Sequence, residues 1–170
     1  MDFEIIQDIS ATVDAVDRTL IDPGFLVLMA ELPKLGAATV LDQRRDDDLM
    51  VQDVRYLFQA ELSRAVTRVV DPKLLTWVER STCNLTTHVT ECEIRPDHYD
   101  GLLAGGYRST IVGGPTATRR TLTGEIKVRM PLVGGKVERA IIGGLEENAM
   151  AQIGLIETWL TGAAEATETE

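Results

Sequence analysis

Cysteine is scarce in this 170-residue chain, which contains only Cys83 and Cys92. A small domain held together by disulfides needs a denser set of cysteines, so that class of scaffold is excluded. Two free thiols are typical of a protein in a reducing compartment. We therefore expect a cytoplasmic protein whose stability comes from an apolar core.

Positive charge and long apolar runs are also in short supply. Lysine and arginine total 17 against 27 aspartate and glutamate residues, which gives a net charge of −10. Nucleic acids and anionic membrane surfaces are bound by clustered cations, so this balance argues against both as partners. The longest apolar stretch, residues 25–30, is too short to insert across a bilayer, and residues 1–8 do not resemble a signal peptide.

The first third of the chain predicts one strand and two short helices. Residues 3–6 alternate as a strand does. Thr12 is suited to cap a helix over Val13–Leu20, because its hydroxyl can accept a hydrogen bond from a free N–H of the first turn. Asp22 and Pro23 predict the start of a second helix, since proline at the first helical position loses no hydrogen bond. That helix is expected to run toward Leu32.

From residue 37 the pattern changes to antiparallel strands. The aspartates at 46–48 predict a turn, and hairpins are predicted from 74–84 with 86–95 and from 106–112 with 118–130. The strand after the first turn has one mainly apolar face, made of Met50, Gln52, Val54, Tyr56, Phe58 and Ala60. The last strand has another, made of Leu122, Gly124, Ile126, Val128 and Met130.

Residues 136–160 predict one long amphipathic helix, and the acidic residues 161–170 predict a disordered tail. Small residues gather on the back of this helix, where interior glycines each cost about 1 kcal/mol relative to alanine. A close neighbour, a bend over a pocket or a dimer contact would offset that cost. The apolar arc comprises Val137, Ile141, Ile142, Leu145, Ala149, Ile153, Ile156, Trp159 and Leu160, and the small face Ala140, Gly143, Gly144, Ala151 and Gly154.

Four motifs accompany this order of elements: DPGF at 22–25, TW at 76–77, GEIKV at 124–128 and PLVGGKVE at 131–138. With them, residues 2–160 resemble the START-like superfamily, which includes polyketide cyclases, the birch pollen allergen family and lipid-transfer domains. More narrowly, the chain is similar to an actinobacterial family of that superfamily without an assigned function. The resemblance implies an α+β helix-grip fold over a single domain, residues 1–160. In that fold a curved antiparallel sheet of six to seven strands wraps a long C-terminal helix, and two short helices follow the first strand.

No residue pattern predicts a catalytic, metal or cofactor site. Cys83, His88, Cys92 and His98 are close in sequence, but residues four apart on one strand face lie about 13 Å apart, too far to share a zinc ion. A nucleophile with a positioned histidine has no motif behind it. The Gly-Gly-Lys at 134–136 lacks the rest of a phosphate-binding loop.

Three polar residues stand out against apolar surroundings. Glu79 shares its strand parity with Trp77, so it points inward if Trp77 does, and an inward carboxylate is a candidate acid or base with a raised pKa. Gln152 falls inside the apolar arc, where its amide needs a strand backbone, a water or a ligand head group as partner. Glu138 is expected to complement the dipole of the first helical turn.

These observations predict a protein that holds a small hydrophobic or amphipathic molecule, lipid-like or polyketide-like, between its sheet and the last helix. The cavity is expected to reach about 300 Å³ or more. One alternative is an enzyme of the polyketide cyclase or dehydratase type, and another is an interaction protein that forms a homodimer through the small helix face. The predicted ligand-binding residues are Tyr56, Phe58, Trp77, Tyr107, Leu122, Ile126, Val128, Met130, Ile141, Leu145, Gln152 and Ile156.

Overall fold

The computed structural model describes residues 1–59, 64, 67–68, 71–99 and 101–167. Ala60 and residues 168–170, for which the sequence makes predictions, lie outside the described residues. The strands are β1 (Asp2–Ile9), β2 (Leu35–Asp46), β3 (Leu49–Phe58), β4 (Thr76–Asn84), β5 (Val89–Pro96), β6 (Leu103–Gly113) and β7 (Thr118–Val128). The α-helices are α1 (Val13–Leu20), α2 (Pro23–Leu28) and α3 (Gly134–Thr167).

The strands form one seven-stranded antiparallel sheet in the order β1-β7-β6-β5-β4-β3-β2. From β2 to β7 the chain moves one place along the sheet at each hairpin, and β1 completes the edge beside β7. The connection from β1 to β2 must therefore cross between the two edges, and α1 and α2 lie on that path. This arrangement, with the long C-terminal helix, confirms the predicted helix-grip α+β fold.

The predicted caps of the two short helices are confirmed. The Thr12 hydroxyl accepts a hydrogen bond from the Ala15 N–H at 3.3 Å. The Asp22 carboxylate accepts from the N–H groups of Gly24 at 2.8 Å and Phe25 at 3.3 Å. The second helix is shorter than predicted, because a 3₁₀ turn at Met29–Glu31 follows it.

The long helix exceeds its predicted bounds at both ends. It begins at Gly134 and continues to Thr167, so residues 161–167 are helical where the sequence predicts disorder. Its apolar arc is confirmed by the burial of Ile142, Ala149 and Ile156. The prediction that all the small residues face away from the sheet is wrong for Gly144, which is buried because Phe58 at the end of β3 reaches this side of the helix.

The apolar core fills the space between the sheet and α3 at one end, the closed end, and leaves space between them at the other, the open end. At the closed end, α1 and α2 pack on the last turns of α3 through Val16, Phe25 and Ile156, none of which is exposed to solvent. At the open end, β3, β5 and β7 finish, β4 and β6 begin, and α3 starts. Because α3 contacts β1 and β7 most closely, space remains beside its first turns, opposite β3, β4 and β5.

Candidate ligand-binding site

A cavity of about 170 Å³ lies between the first half of α3 and the open end of the sheet. Its walls are almost entirely apolar. Alternation places Trp77 of β4, Ile94 of β5 and Ile126 of β7 on the inner face of the sheet, and the helical repeat turns Ile141 and Leu145 toward them. The fold therefore forms an apolar chamber at the place where the helix stands away from the sheet.

Seven of the predicted ligand-binding residues line this cavity. They are Phe58, Trp77, Ile126, Val128, Met130, Ile141 and Leu145. Sequence analysis missed further lining residues, chiefly from the loops of the open end and the small face of α3: Leu74, Leu75, Leu102, Leu103, Ala140 and Gly144. Leu75 and Leu102 lie in connections without periodicity, and Leu103 is the first residue of β6, before the strand predicted at 106–112.

The other five predicted residues lie elsewhere in the interior. The Tyr56 ring packs on Trp77 with centroids 5.7 Å apart, and its hydroxyl points to the Met29 sulfur at 3.7 Å. Leu122 is in the core between β1 and α3, and Ile156 is fully buried at the closed end. Tyr107 and Gln152 belong to two polar groups described below. Strand parity and the helical arc assigned the correct face to these residues but not their position along the length of the sheet and α3.

The cavity is smaller than the sequence-based expectation of about 300 Å³. An engineered apolar cavity of about 150 Å³ in another protein admits benzene. The present volume of about 170 Å³ therefore suits a single ring or a short acyl segment. A larger molecule would extend through the mouth of the cavity or displace side chains.

Polar groups stand at the rim of the cavity. Thr76, His98, Tyr99 and Asn148 are the polar or ionisable residues of its lining. The Asn148 Oδ1 accepts a hydrogen bond from the Lys34 N–H at 2.9 Å, and the Tyr99 hydroxyl accepts from the Asp71 N–H at 2.8 Å. The hydroxyl proton of Tyr99 and the amide N–H₂ of Asn148 are thus left to donate to a bound molecule.

Glu79 lies on the inner side of β4, as its shared parity with Trp77 predicts. Its carboxylate accepts hydrogen bonds from Trp77 Nε1 at 3.2 Å and from the Tyr107 hydroxyl at 3.1 Å, and the Cys92 sulfur is 3.8 Å away. Burial raises the pKa of Glu79, while the hydrogen bonds from Trp77 and Tyr107 oppose the shift. Glu79 is not among the residues that line the cavity, whereas its hydrogen-bond partner Trp77 is.

A second polar group, which sequence analysis missed, surrounds Arg120. The buried guanidinium donates to Ser109 Oγ at 2.8 Å, to Gln7 Oε1 at 3.1 Å and to Gln152 Oε1 at 3.0 Å. The Gln7 amide donates in turn to the Ala149 carbonyl at 2.6 Å. Gln152 therefore has its partners within the protein, and this network fastens α3 to β1, β6 and β7.

The remaining polar candidates have structural partners. Glu138 accepts a hydrogen bond from the Val128 N–H at 2.8 Å, so it fastens the start of α3 to the end of β7. His88 Nδ1 lies 2.5 Å from the Asp17 carboxylate, and Cys83 and Cys92 are buried free thiols. Among the described residues, no three His, Cys, Asp or Glu side chains come together in a way that could hold a metal ion. No helix in the described ranges has the length and hydropathy to cross a membrane.

Solved structures with this fold are numerous. The protein is similar to TTHA0849 from Thermus thermophilus, with a TM-score of 0.68 and 15% identity over 96% of this chain and 99% of the other. The ZhuI aromatase/cyclase from Streptomyces sp. R1128 has a TM-score of 0.66 and 14% identity over 92% of this chain and 90% of its own. A START superfamily protein from Mycobacterium smegmatis has a TM-score of 0.53 and 17% identity over 93% and 98%.

These identities are low, so the likenesses establish the START-like fold and leave the activity open. The comparison with curated proteins finds no match. The model of the family described as "Protein of unknown function (DUF2505)" matches residues 4–160.

Proposed function

This chain belongs to the DUF2505 family, and we propose that it is a cytoplasmic binding protein for a small apolar or amphipathic molecule. The observation that carries the proposal is the apolar cavity between α3 and the open end of the sheet. An empty cavity costs stability in proportion to its volume, because its lining loses packing contacts. A ligand that fills it recovers those contacts.

The dimensions of the cavity define the part of the ligand that is enclosed. A volume of about 170 Å³ accommodates one ring or a short acyl segment, with Ile126 and Ile141 on either side. The lipid-like or polyketide-like ligand suggested by the family resemblance is larger, so most of it would lie at the mouth. We propose that the ligand has an aromatic or acyl terminus inside the cavity and a polar body outside it.

The polar end of the ligand is assigned to the rim. Gln152 was the expected contact from the sequence, but its amide already binds Arg120, Gln7 and the Met29 sulfur. His98, Tyr99 and Asn148 stand beside the cavity instead. Hydrogen-bond donors at a rim of this kind fix the orientation of a bound molecule, while the apolar walls supply affinity.

Native mass spectrometry of the protein purified from cells tests this proposal. We expect a species heavier than the bare chain, and organic extraction should release an apolar compound of defined mass. Titration of the extracted protein with benzene, followed by calorimetry, should show saturable binding. Bare protein together with no benzene binding at any accessible concentration would overturn the proposal.

A second candidate function is catalysis on the bound molecule by Glu79. It is favoured by one observation: the carboxyl is inward and held by Trp77 and Tyr107, and burial raises its pKa toward the range useful for proton transfer. Because Glu79 does not line the cavity, it could give or take a proton at a ligand only if neighbouring side chains moved aside.

The variant Glu79→Gln distinguishes binding from catalysis. Wild type and variant are expressed in the same cells, and their extracted ligands are compared by mass. An enzyme would accumulate its substrate in the variant, for example a compound heavier by one water if the reaction is a dehydration. The same compound in the same amount from both proteins would exclude the catalytic function of Glu79.

A further inference from the structure

The cations of this acidic protein are unevenly distributed. Lys127, Arg129, Lys136 and Arg139 fall within residues 127–139, which contain one acid, Glu138. This segment covers the end of β7, its connection to α3 and the first six residues of α3, so the four cations gather at the open end. All four are exposed. The chain that carries a net charge of −10 thus has a basic segment at its open end.

These four cations have no ion-pair partner among the described residues, unlike most other arginines of the protein. Arg55, Arg108 and Arg119, for instance, each bind a carboxylate. Three acids near the open end have hydrogen-bond partners within the protein. Asp71 accepts from the Lys73 N–H at 2.9 Å, Asp97 binds Arg55, and Glu138 accepts from the Val128 N–H.

The position of Lys136 does not help the helix. A cation in the first turn is opposed by the positive end of the helix dipole. Its charge adds to that of the dipole and makes the potential at the open end more positive. A partner with negative charge would offset this cost.

Exposed leucines surround the mouth of the cavity within the same region. Leu74 and Leu102 line the cavity and are still 39% and 36% exposed. Leu132 is fully exposed, with a positive φ of 68°, in the connection between β7 and α3. The Arg129 N–H donates to the Leu102 carbonyl at 2.7 Å, which joins the leucine loop to the basic segment.

One group of acids lies far from this surface. Asp46 ends β2, Asp47 and Asp48 form the turn to β3 at the other end of the sheet, and Glu157 lies near the other end of α3. With 34 residues, α3 is about 51 Å long. The Debye length at physiological salt is about 8 Å, so a partner at the open end is screened from the distant acids. The net charge alone does not reveal that these acids are separated from the cations of the open end.

We propose that the open end docks on the surface of an anionic lipid bilayer, with Leu74, Leu102 and Leu132 in the interfacial layer and the four cations on the head groups. The mouth of the cavity then faces the membrane. Interfacial binding of this type combines buried apolar area with attraction to anionic lipid. The proposal goes beyond the proposed function, because docking needs neither an occupied cavity nor a particular ligand.

Co-sedimentation with vesicles tests the docking. Phosphatidylcholine vesicles are compared with vesicles of phosphatidylcholine and phosphatidylserine, at low and at physiological salt. We expect binding to the anionic vesicles only, weakened by salt. The double variant Lys136→Glu/Arg139→Glu should lower the affinity by about tenfold or more, since each cation near an anionic surface contributes measurably. Leu132→Ser should lower the affinity for anionic vesicles by a smaller factor without reducing the salt dependence of binding.

Matched controls carry the same changes at the closed end. Arg44→Glu/Arg45→Glu reverses two exposed charges beside the β2–β3 turn, and Val112→Ser removes an apolar side chain that is 63% exposed near the end of β6. Both controls should bind anionic vesicles as wild type does. No binding to either vesicle, equal binding to both, or equal losses in the open-end variants and their controls would overturn the proposal. A wild-type protein that binds an acidic protein partner but no vesicle would also overturn it.

Discussion

Gly144→Leu is the substitution that tests the cavity most sharply through stability. Gly144 lines the cavity on α3, and a Cβ placed there would lie 3.6 Å from Lys34 Cγ and 3.7 Å from Phe58 Cε2. Both distances are ordinary van der Waals contacts, so the backbone accepts a side chain. The leucine would then extend into space that is empty in the wild type.

Two effects add in this variant. Replacing an interior helical glycine by leucine gains about 0.8 kcal/mol from helix propensity. Burying the leucine side chain gains a further 1.5–3 kcal/mol or so if the cavity receives all of it. The expected increase in the free energy of unfolding is therefore about 2–4 kcal/mol, as an upper range. In a chain of this length each kcal/mol raises Tm by roughly 2–4 °C.

The neighbouring glycine provides the control. A Cβ at Gly143 would meet open space, with no atom of another element within 4 Å. Gly143→Leu should therefore gain only the propensity contribution of about 0.8 kcal/mol. Urea denaturation of both variants and the wild type measures the difference, and Gly144→Ala separately checks that a Cβ is tolerated. Calorimetric titration with benzene should show about a tenfold or greater loss of affinity for Gly144→Leu alone.

The reasoning would be refuted by either of two results. If Gly144→Leu is less stable than Gly143→Leu although Gly144→Ala is tolerated, the space beside Gly144 is already filled. If the two leucine variants bind benzene with equal affinity, the ligand lies elsewhere.

Three further predictions concern the polar interior and a helix cap. Because burial raises the pKa of Glu79, the stability this group contributes is complete below its unfolded pKa and is lost as pH rises through the folded pKa. Glu79→Gln should thus be more stable than wild type at neutral pH, with an advantage that shrinks on acidification; a pH-independent difference in urea denaturation would contradict this. Arg120→Met should lower the free energy of unfolding by about 1–3 kcal/mol, because Gln7 and Gln152 lose their shared donor; unchanged thermal unfolding would show that the network contributes nothing. Asp22→Ala should lower the free energy of unfolding by about 1 kcal/mol through loss of the α2 cap, whereas Asp22→Asn should retain most of the stability that the cap contributes. Equal Tm values for the two variants would argue against capping.

Local physics explains what the sequence predicts well. The caps at Thr12 and Asp22 depend on neighbours within three residues, and the apolar face of β3 depends on strict alternation. Such features need no knowledge of the tertiary structure. The inward direction of Glu79 follows from the same alternation, because Trp77 on the same strand points inward.

Features that depend on contacts distant in sequence were missed or misplaced. Arg120 shares the parity of Leu122 and Ile126, so its inward direction was readable, but an arginine on a strand is usually assigned to solvent. Its partners, Gln7 and Gln152, are joined to it across most of the chain. The size and position of the cavity depend on which strands α3 contacts, and no periodicity in the sequence determines that.

Methyl NMR during titration with benzene tests the central claim most directly. The cavity of about 170 Å³ is just large enough for this probe. We predict saturable shifts of the Ile126, Ile141 and Leu145 methyl signals and none at Ile9 or Ile156, which are fully packed at the closed end. Unchanged signals at the three cavity residues, or equal shifts at both ends of the protein, would contradict a binding cavity between α3 and the open end of the sheet.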